Sequence, residues 1–192
     1  ANETTAFDPS RSKPYPQKST LFCYEPPALA EAMQLASLNS IGHQWQVAHG
    51  RGALAFENAL RTLPSHVERP SHQFIPPLSQ TKFDQLLKSS DLNFVRGEDS
   101  LVRALWAGKA FVWQIYPQDD GAHGPKLKAF LDWLEAPESL RRFHLGWNGL
   151  SQDPLPEVDL PAWQACAMAA QARLEQQMDL VSQLLQFVEE KR

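Results

Sequence analysis

Only two cysteines, Cys23 and Cys166, occur in the 192 residues. That is too few for a disulfide framework, and both read as buried free thiols of a reducing compartment. A basic excess is also missing. Lys and Arg number 18 against 22 Asp and Glu, for a net charge of -4, so binding to nucleic acid or to an acidic membrane surface is not expected. No apolar run approaches the roughly 18 residues of a membrane-spanning helix. The opening segment is polar and lacks the apolar stretch of a signal peptide. The six histidines, at 43, 49, 66, 72, 123 and 144, show neither HxH nor HExxH spacing, so no metal site is expected. GxGxxG, P-loop and GxSxG patterns are absent too. Familiar NAD and ATP folds and the α/β-hydrolases are therefore disfavoured.

What is present begins with 15 prolines, six tryptophans and a 43% hydrophobic composition, enough for one domain with a real core. Residues 1–19, carrying Pro9, Pro14 and Pro16, read as a linker or extended lead. The domain itself is expected over residues 20–192. Thr20 to Tyr24 reads as a strand stopped by Pro26-Pro27, and Trp45 to Ala48 as another. Helical spacing marks Leu29 to Leu38, Ala53 to Leu60 and the segment around Phe83, Leu86 and Leu87. A short strand is expected near Phe74-Ile75, and stronger ones at Leu92 to Val95 and Ala110 to Ile115. Between the last two, Arg96 to Ser100 reads as a turn and Leu101 to Ala107 as a helix capped by Gly108. Lys126 to Leu134 is helical. One long helix is expected from about residue 161 to Glu190, on a stripe through Trp163, Ala167, Ala170, Leu174, Met178, Val181, Leu185 and Val188.

Strands and helices alternate at intervals of about twenty residues, the rhythm of βαβ units. The expected fold is α/β: a Rossmann-like parallel sheet with helices on both faces. Ligands of such sheets bind beyond the carboxyl ends of the strands. That places attention on Tyr24-Glu25-Pro26, His49 to Gly52, Arg96 to Ser100 and Tyr116 to Asp120.

The turn Arg96-Gly97-Glu98-Asp99-Ser100 is the best candidate for chemistry. It opens a helix, whose unpaired N–H groups at Asp99, Ser100 and Leu101 suit phosphate oxygens. Arg96 would add a fixed positive charge, Ser100 a hydroxyl donor, and Gly97 room for close approach. A purely local reading stands beside it, in which Asp99 or Glu98 caps the helix and Arg96 pairs with one of them. Two acids beside a phosphate site need other targets, such as sugar hydroxyls or a cationic acceptor for Glu98. Tyr116 sits at the next strand exit. Tyr24 and Phe83 either stack on a base or pack into the core, and Gln80 could read a pyrimidine edge. Asp119-Asp120 lacks a third metal ligand and reads equally as a solvated loop.

The blocks Asp91-Leu-Asn-Phe-Val-Arg-Gly-Glu-Asp-Ser100, Val102-Arg-Ala and Trp106-Ala-Gly resemble the protein-arginine rhamnosyltransferases that modify translation elongation factor P. Phe111-Val-Trp, Ile115-Tyr-Pro-Gln-Asp119, Ala122-His123, Lys126-Leu127 and Ala129-Phe-Leu131 continue the likeness, as does Leu21-Phe-Cys-Tyr-Glu25. It covers roughly residues 20–150, and the last helix in character only.

The resemblance implies the C-terminal half of a GT-B fold. It also implies an inverting glycosyltransferase that moves rhamnose from dTDP-β-L-rhamnose to an arginine of elongation factor P, in the cytoplasm, with no metal or other cofactor. By that likeness Glu98 is the catalytic carboxylate. Tyr24, Leu78, Ser79, Gln80, Phe83, Arg96, Gly97, Asp99, Ser100 and Tyr116 would contact the donor. Pro77 departs from the pattern, standing where the family often has an aromatic near the base. The family's N-terminal domain, with its general base and most of its acceptor surface, has no counterpart here; Asp8 lies outside any such motif. The start at Ala1 and the proline-bearing lead read as a cut within an interdomain linker, and the isolated chain is expected to be inactive. The competing expectation is a Rossmann-like protein-interaction module without catalysis.

Overall fold

The computed structural model describes residues 15–39, 42–118 and 122–190. Five strands form one sheet: β1 (Lys18–Leu21), β2 (Gln44–Ala48), β3 (Ser71–Ile75), β4 (Leu92–Arg96) and β5 (Ala110–Gln114). All neighbours are parallel, in the order β3-β2-β1-β4-β5. Consecutive residues of a strand point to opposite faces, and β5 is buried at every position while β4 is buried at all but Arg96. Both faces of the sheet centre are therefore covered, as a parallel sheet requires. β3 closes one edge and is largely exposed.

Helices link and cover the strands: α1 (Leu29–Asn39), α2 (Arg51–Thr62), α3 (Gln80–Ser89), α4 (Gly97–Ala107), α5 (His123–Trp133), α6 (Glu138–Trp147), α7 (Leu160–Glu175) and α8 (Leu180–Glu190). The core is built on tryptophan: Trp45, Trp113, Trp147 and Trp163 are all fully buried. Phe94 lies between two of them, its ring centroid 5.5 Å from Trp45 and 4.6 Å from Trp147. Stacked or tilted ring pairs at such distances add to simple area burial. Among the described residues, no helix is long and apolar enough to cross a membrane.

Several boundaries differ from the sequence-based expectation. The first strand is Lys18–Leu21, not Thr20–Tyr24, so it takes in the end of the 1–19 lead; residues 1–14 of that lead lie outside the described residues. Asp91 explains the early start. Its carboxylate accepts the N–H groups of Gln17 and Lys18, each at 3.0 Å, anchoring the chain two residues before the apolar run begins. The strand ends early because the Tyr24 N–H turns to the Gln114 side chain at 2.7 Å.

The segment Arg96 to Ser100 is no free turn, since α4 starts at Gly97 directly after β4. The Ser100 hydroxyl closes that junction, accepting the Arg96 N–H at 3.0 Å and donating to the Arg96 carbonyl. Helix α6 is an addition to the expected elements. It buries Leu140, Phe143 and Trp147 at helical spacing, with His144 among them. The long C-terminal helix is two helices. Asp179 restarts the second by accepting the Ser182 N–H at 3.0 Å, and α8 buries none of its residues. Of the expected stripe, Trp163, Ala167 and Ala170 are buried, whereas Met178, Val181, Leu185 and Val188 are exposed. Cys23 is buried and free, and Cys166 is free but only partly covered.

Candidate functional site

The chain runs from β1 outward to β3 and then crosses back to β4 and β5, so the strand order reverses between β1 and β4. Crevices form beyond the carboxyl ends of strands at such a reversal. A pocket of about 630 Å³ occupies this one, large enough for a small ligand. Its apolar wall consists of Ile75, Pro76, Pro77 and Leu78 after β3, with Phe83 and Leu86 of α3. Phe22, Tyr24 and Arg96 form the floor, and residues 97–100 of α4 form the polar end. Pro77 thus lies in the apolar wall itself.

Arg96 is fixed by aromatic rings. Its guanidinium carbon lies 4.4 Å from the Phe22 ring centroid and 4.6 Å from that of Tyr24, and one N–H donates to the Cys23 carbonyl at 3.2 Å. Cation–π contacts of this kind hold a charge in place while leaving the rest of the guanidinium edge for a ligand. Phe22 in turn meets Phe83 edge to face at 5.3 Å. Tyr24 also lies 5.1 Å from Arg51, which is bonded to Glu25 at 3.0 Å. That guanidinium holds the Glu25 carboxyl below its ordinary range.

Gly97 makes the step from strand to helix with φ +62°, and a Cβ there would lie 3.2 Å from the Tyr24 hydroxyl. The step aims the first turn of α4 at the pocket, where N–H groups at a helix start lack intrahelical acceptors and favour anions. Because the helix starts four residues earlier than expected, these are the amides of Gly97, Glu98 and Asp99 rather than those of Asp99, Ser100 and Leu101.

The two adjacent acids each have a cation. Glu98 binds the Lys126 ammonium of α5 at 2.9 Å, which lowers its pKa from the ordinary value. Asp99 binds Arg103 one helical turn on, at 3.0 Å. Neither therefore confronts an anionic ligand with an uncompensated charge.

The structure brings Tyr24, Leu78, Gln80, Phe83 and Arg96 around the pocket together with Gly97, Glu98, Asp99 and Ser100. Ser79 and Tyr116 stand beside it. Ser79 caps α3 by accepting the Lys82 N–H at 3.4 Å. Tyr116 is 56% exposed and meets Tyr24 edge to face at 5.7 Å. For Ser100, expected as a hydroxyl donor to phosphate, the hydroxyl proton goes to the Arg96 carbonyl and the residue is 3% exposed; its part is to shape the turn. The pair Asp119-Asp120 lies outside the described residues. Among the described residues no group of three or more His, Cys, Asp or Glu is placed to hold a metal ion.

Sequence reasoning missed Phe22 and Arg103 in the pocket wall, and reached His49 only as part of the strand exit His49 to Gly52. For Arg103 a signal was present, since its spacing of four from Asp99 is that of a helical ion pair. Phe22 was hidden by its place in an apolar run.

Comparison with known proteins follows the same line. The family model described as "Elongation-Factor P (EF-P) rhamnosyltransferase EarP" matches residues 3–189. A protein-arginine rhamnosyltransferase of Pseudomonas aeruginosa is 40% identical over 126 residues, covering 60% of this chain and 33% of the relative. One from Neisseria meningitidis serogroup B is 57% identical over 58 residues, 30% of this chain and 15% of the relative. A solved structure from work on EarP-mediated arginine glycosylation of translation elongation factor EF-P superposes with a TM-score of 0.70 at 29% identity, covering 91% of this chain and 61% of that one. The matched stretch thus spans about a third of the length of the Pseudomonas relative.

Proposed function

Because the chain belongs to the elongation factor P rhamnosyltransferase family, we propose that it is the donor-binding part of a protein-arginine rhamnosyltransferase of GT-B architecture. The donor in this reading is dTDP-β-L-rhamnose, the acceptor an arginine of elongation factor P, and the compartment the cytoplasm. No cofactor enters it.

The observation that carries the proposal is the two-ended pocket at the strand reversal. One end offers apolar and aromatic surface to a thymine base, with Gln80 exposed beside Phe83 to meet the base's polar edge. The other offers the α4 amides and Arg96 to a pyrophosphate. The separation of these ends by a floor of Phe22 and Tyr24 suits a nucleoside diphosphate better than an isolated phosphate.

An arginine guanidinium stays protonated up to a pH above about 12 and is a poor nucleophile. A carboxylate that is ionised at neutral pH and lines the polar end of the pocket can orient it, and Glu98 fits both conditions. In an inverting displacement a guanidinium nitrogen bonds to the anomeric carbon as the bond to the diphosphate oxygen breaks. The electron pair leaves on dTDP, stabilised by Arg96 and the helix start. The guanidinium proton passes to a base contributed by the portion of the protein that the longer relatives carry beyond this match. The Arg96 to Ser100 segment would then bind and stabilise the leaving group, and Glu98 would position the acceptor.

Calorimetric titration of this chain with dTDP and with UDP tests the reading. Saturable binding of dTDP, weaker binding of UDP and a raised Tm are expected. Failure to bind dTDP at millimolar concentration would overturn the donor-site assignment.

A further inference from the structure

The guanidinium of Arg103, in the pocket wall, spans two helices that the chain separates by a strand. Its Nη1 donates to Oδ1 and Oδ2 of Asp84 at 2.9 Å and 3.1 Å, and its Nε to Oδ2 of Asp99 at 3.0 Å. Asp84 belongs to α3, whereas Asp99 and Arg103 both belong to α4, so the Asp84 pair crosses between the helices and the Asp99 pair holds the guanidinium in line for it. The side chains of Arg103 and Asp84 are 21% and 41% exposed, so their pair is screened less than an ordinary surface pair, whereas Asp99 is 81% exposed. A planar guanidinium can bind both carboxylates at once in fixed directions, which a lysine ammonium cannot do in the same way.

The two helices carry the two ends of the pocket. Phe83 and Leu86, on α3, face its apolar end, while Gly97 and Glu98, on α4, make the polar end. The distance between these ends decides whether base and diphosphate are held together. The same guanidinium neutralises Asp99 beside amides that would receive phosphate.

We propose that Arg103 is a positioning residue that, held by Asp99 on its own helix and paired with Asp84 on α3, fixes the spacing between the base-facing wall on α3 and the phosphate-facing start of α4, and so sets the affinity for the whole nucleotide. The inference rests on the donor-site reading above. It separates Arg103 from Arg96, whose charge that reading places on the diphosphate.

The test compares dTDP with thymidine, which has no phosphate, on the wild-type chain and on R103M, R103K, D84N and the D84N/R103M double variant. Calorimetry follows dTDP, and NMR shifts follow thymidine. R103M is expected to weaken dTDP roughly tenfold, the middle of the range for coupled side chains, and thymidine, which engages only the base-facing end, by much less. R103K should recover part of that loss. D84N should reproduce it, and the double variant should bind no more weakly than R103M. Each variant's Tm and near-ultraviolet dichroism establish that it is folded; should R103M fail to fold, D84N alone makes the same comparison. Loss of dTDP affinity in R103M but not in D84N, which breaks the pair and keeps the Arg103 charge, would assign Arg103 to direct phosphate contact and overturn the proposal; an equal loss for thymidine would place the effect in the base-facing wall alone and overturn it too. A lowered Tm with both affinities unchanged would overturn it as well. A wild-type chain that binds neither ligand would instead bring down the donor-site reading, and this inference with it.

Discussion

The indole N–H of Trp113 donates to the carbonyl of Gly97 at 2.8 Å, tying the middle of β5 to the first residue of α4. Trp113 is 2% exposed, so its N–H has to find an acceptor inside the fold. The bond holds Gly97 where the chain turns from strand to helix, and thereby aims the helix start at the pocket. Gly97 meets this demand because at its φ of +62° a glycine carries no Cβ penalty.

Replacing Gly97 is the direct check on that geometry. Gly97→Ala should cost about 1–2 kcal/mol of stability through the left-handed backbone alone. Its new Cβ would also press on the Tyr24 hydroxyl and weaken dTDP binding. Gly97→Asn should lose less stability, because Asn enters this backbone region more readily. Urea midpoints for the wild-type chain and the two variants measure the effect. Equal midpoints for the wild-type chain and Gly97→Ala would show that the turn is not held as described.

Glu98 and Lys126 make a pair that matters for charge more than for stability. Their side chains are 64% and 53% exposed, and exposed pairs contribute little to folding. Lys126→Met should therefore leave Tm nearly unchanged. It should move the Glu98 carboxyl back up toward its ordinary pKa, since the lysine bond is the main cause of the lowering. If the transfer reaction proposed above needs the ionised carboxylate, its acid limb shifts to higher pH in the variant. Glu98→Gln should lower the transfer rate by about 10²-fold or more while leaving dTDP binding intact. A pH–rate profile and a calorimetric titration of each variant read both effects. An unmoved acid limb in Lys126→Met would count against Glu98 as the titrating group.

The parallel sheet was legible because its strands are short, largely apolar runs separated by helix-length intervals. Asn93-Phe94-Val95 and Phe111-Val112-Trp113 show the pattern and pair directly, Asn93 with Phe111 and Phe94 with Val112. The limits of the elements were less legible, because side chains distant in sequence set them. Asp91 fixes where β1 begins, and Ser100 fixes where α4 begins. The same holds at the site. The sequence marked Arg96 to Ser100 as a group, but it did not show that Lys126 and Arg103 would take up the two carboxylates. Nor did it show that the Ser100 hydroxyl would bind backbone. Helix α6 escaped notice because its buried face is short and carries His144 among Leu140, Phe143 and Trp147. The division of the last helix rests on Asp179, whose capping role is plain only once Ser182 is seen to bond to it.

Helix α8 should behave as a separate, weakly attached element. None of its residues is buried, so its order depends on local terms, chief among them the Asp179 cap. Both Asp179 oxygens are engaged by Ser182, at 3.0 Å through the backbone and 2.7 Å through the hydroxyl. Asp179→Ala should lower helical dichroism and speed proteolysis after residue 176, with no change in the main unfolding transition. A matching fall in Tm would show instead that α8 is part of the cooperative core.

The most telling pH dependence comes from His144. Its Nε2 accepts the Trp113 backbone N–H at 3.0 Å, and its Nδ1 proton goes to the Leu140 carbonyl at 2.9 Å. These partners require the neutral ring in one tautomer, and complete burial pushes its pKa down to about 4. The unfolded chain takes up this proton near the ordinary value of about 6.5, while the folded one resists until about 4. Stability is therefore whole above the higher value and declines as pH falls between the two, by up to about 3 kcal/mol. His43, also lowered by burial, acts in the same direction. His144→Gln should be less stable at neutral pH by about 1–3 kcal/mol, because the Trp113 N–H loses a fitted acceptor. It should also show a flatter decline in acid, with His43 accounting for what remains. Urea midpoints of both proteins at about pH 7.5 and about pH 5 supply the comparison, since the linkage acts between those values. If the wild-type midpoint did not fall at the lower pH, or if His144→Gln kept the full decline, the buried neutral imidazole would not be the acid-sensitive joint between β5 and α6.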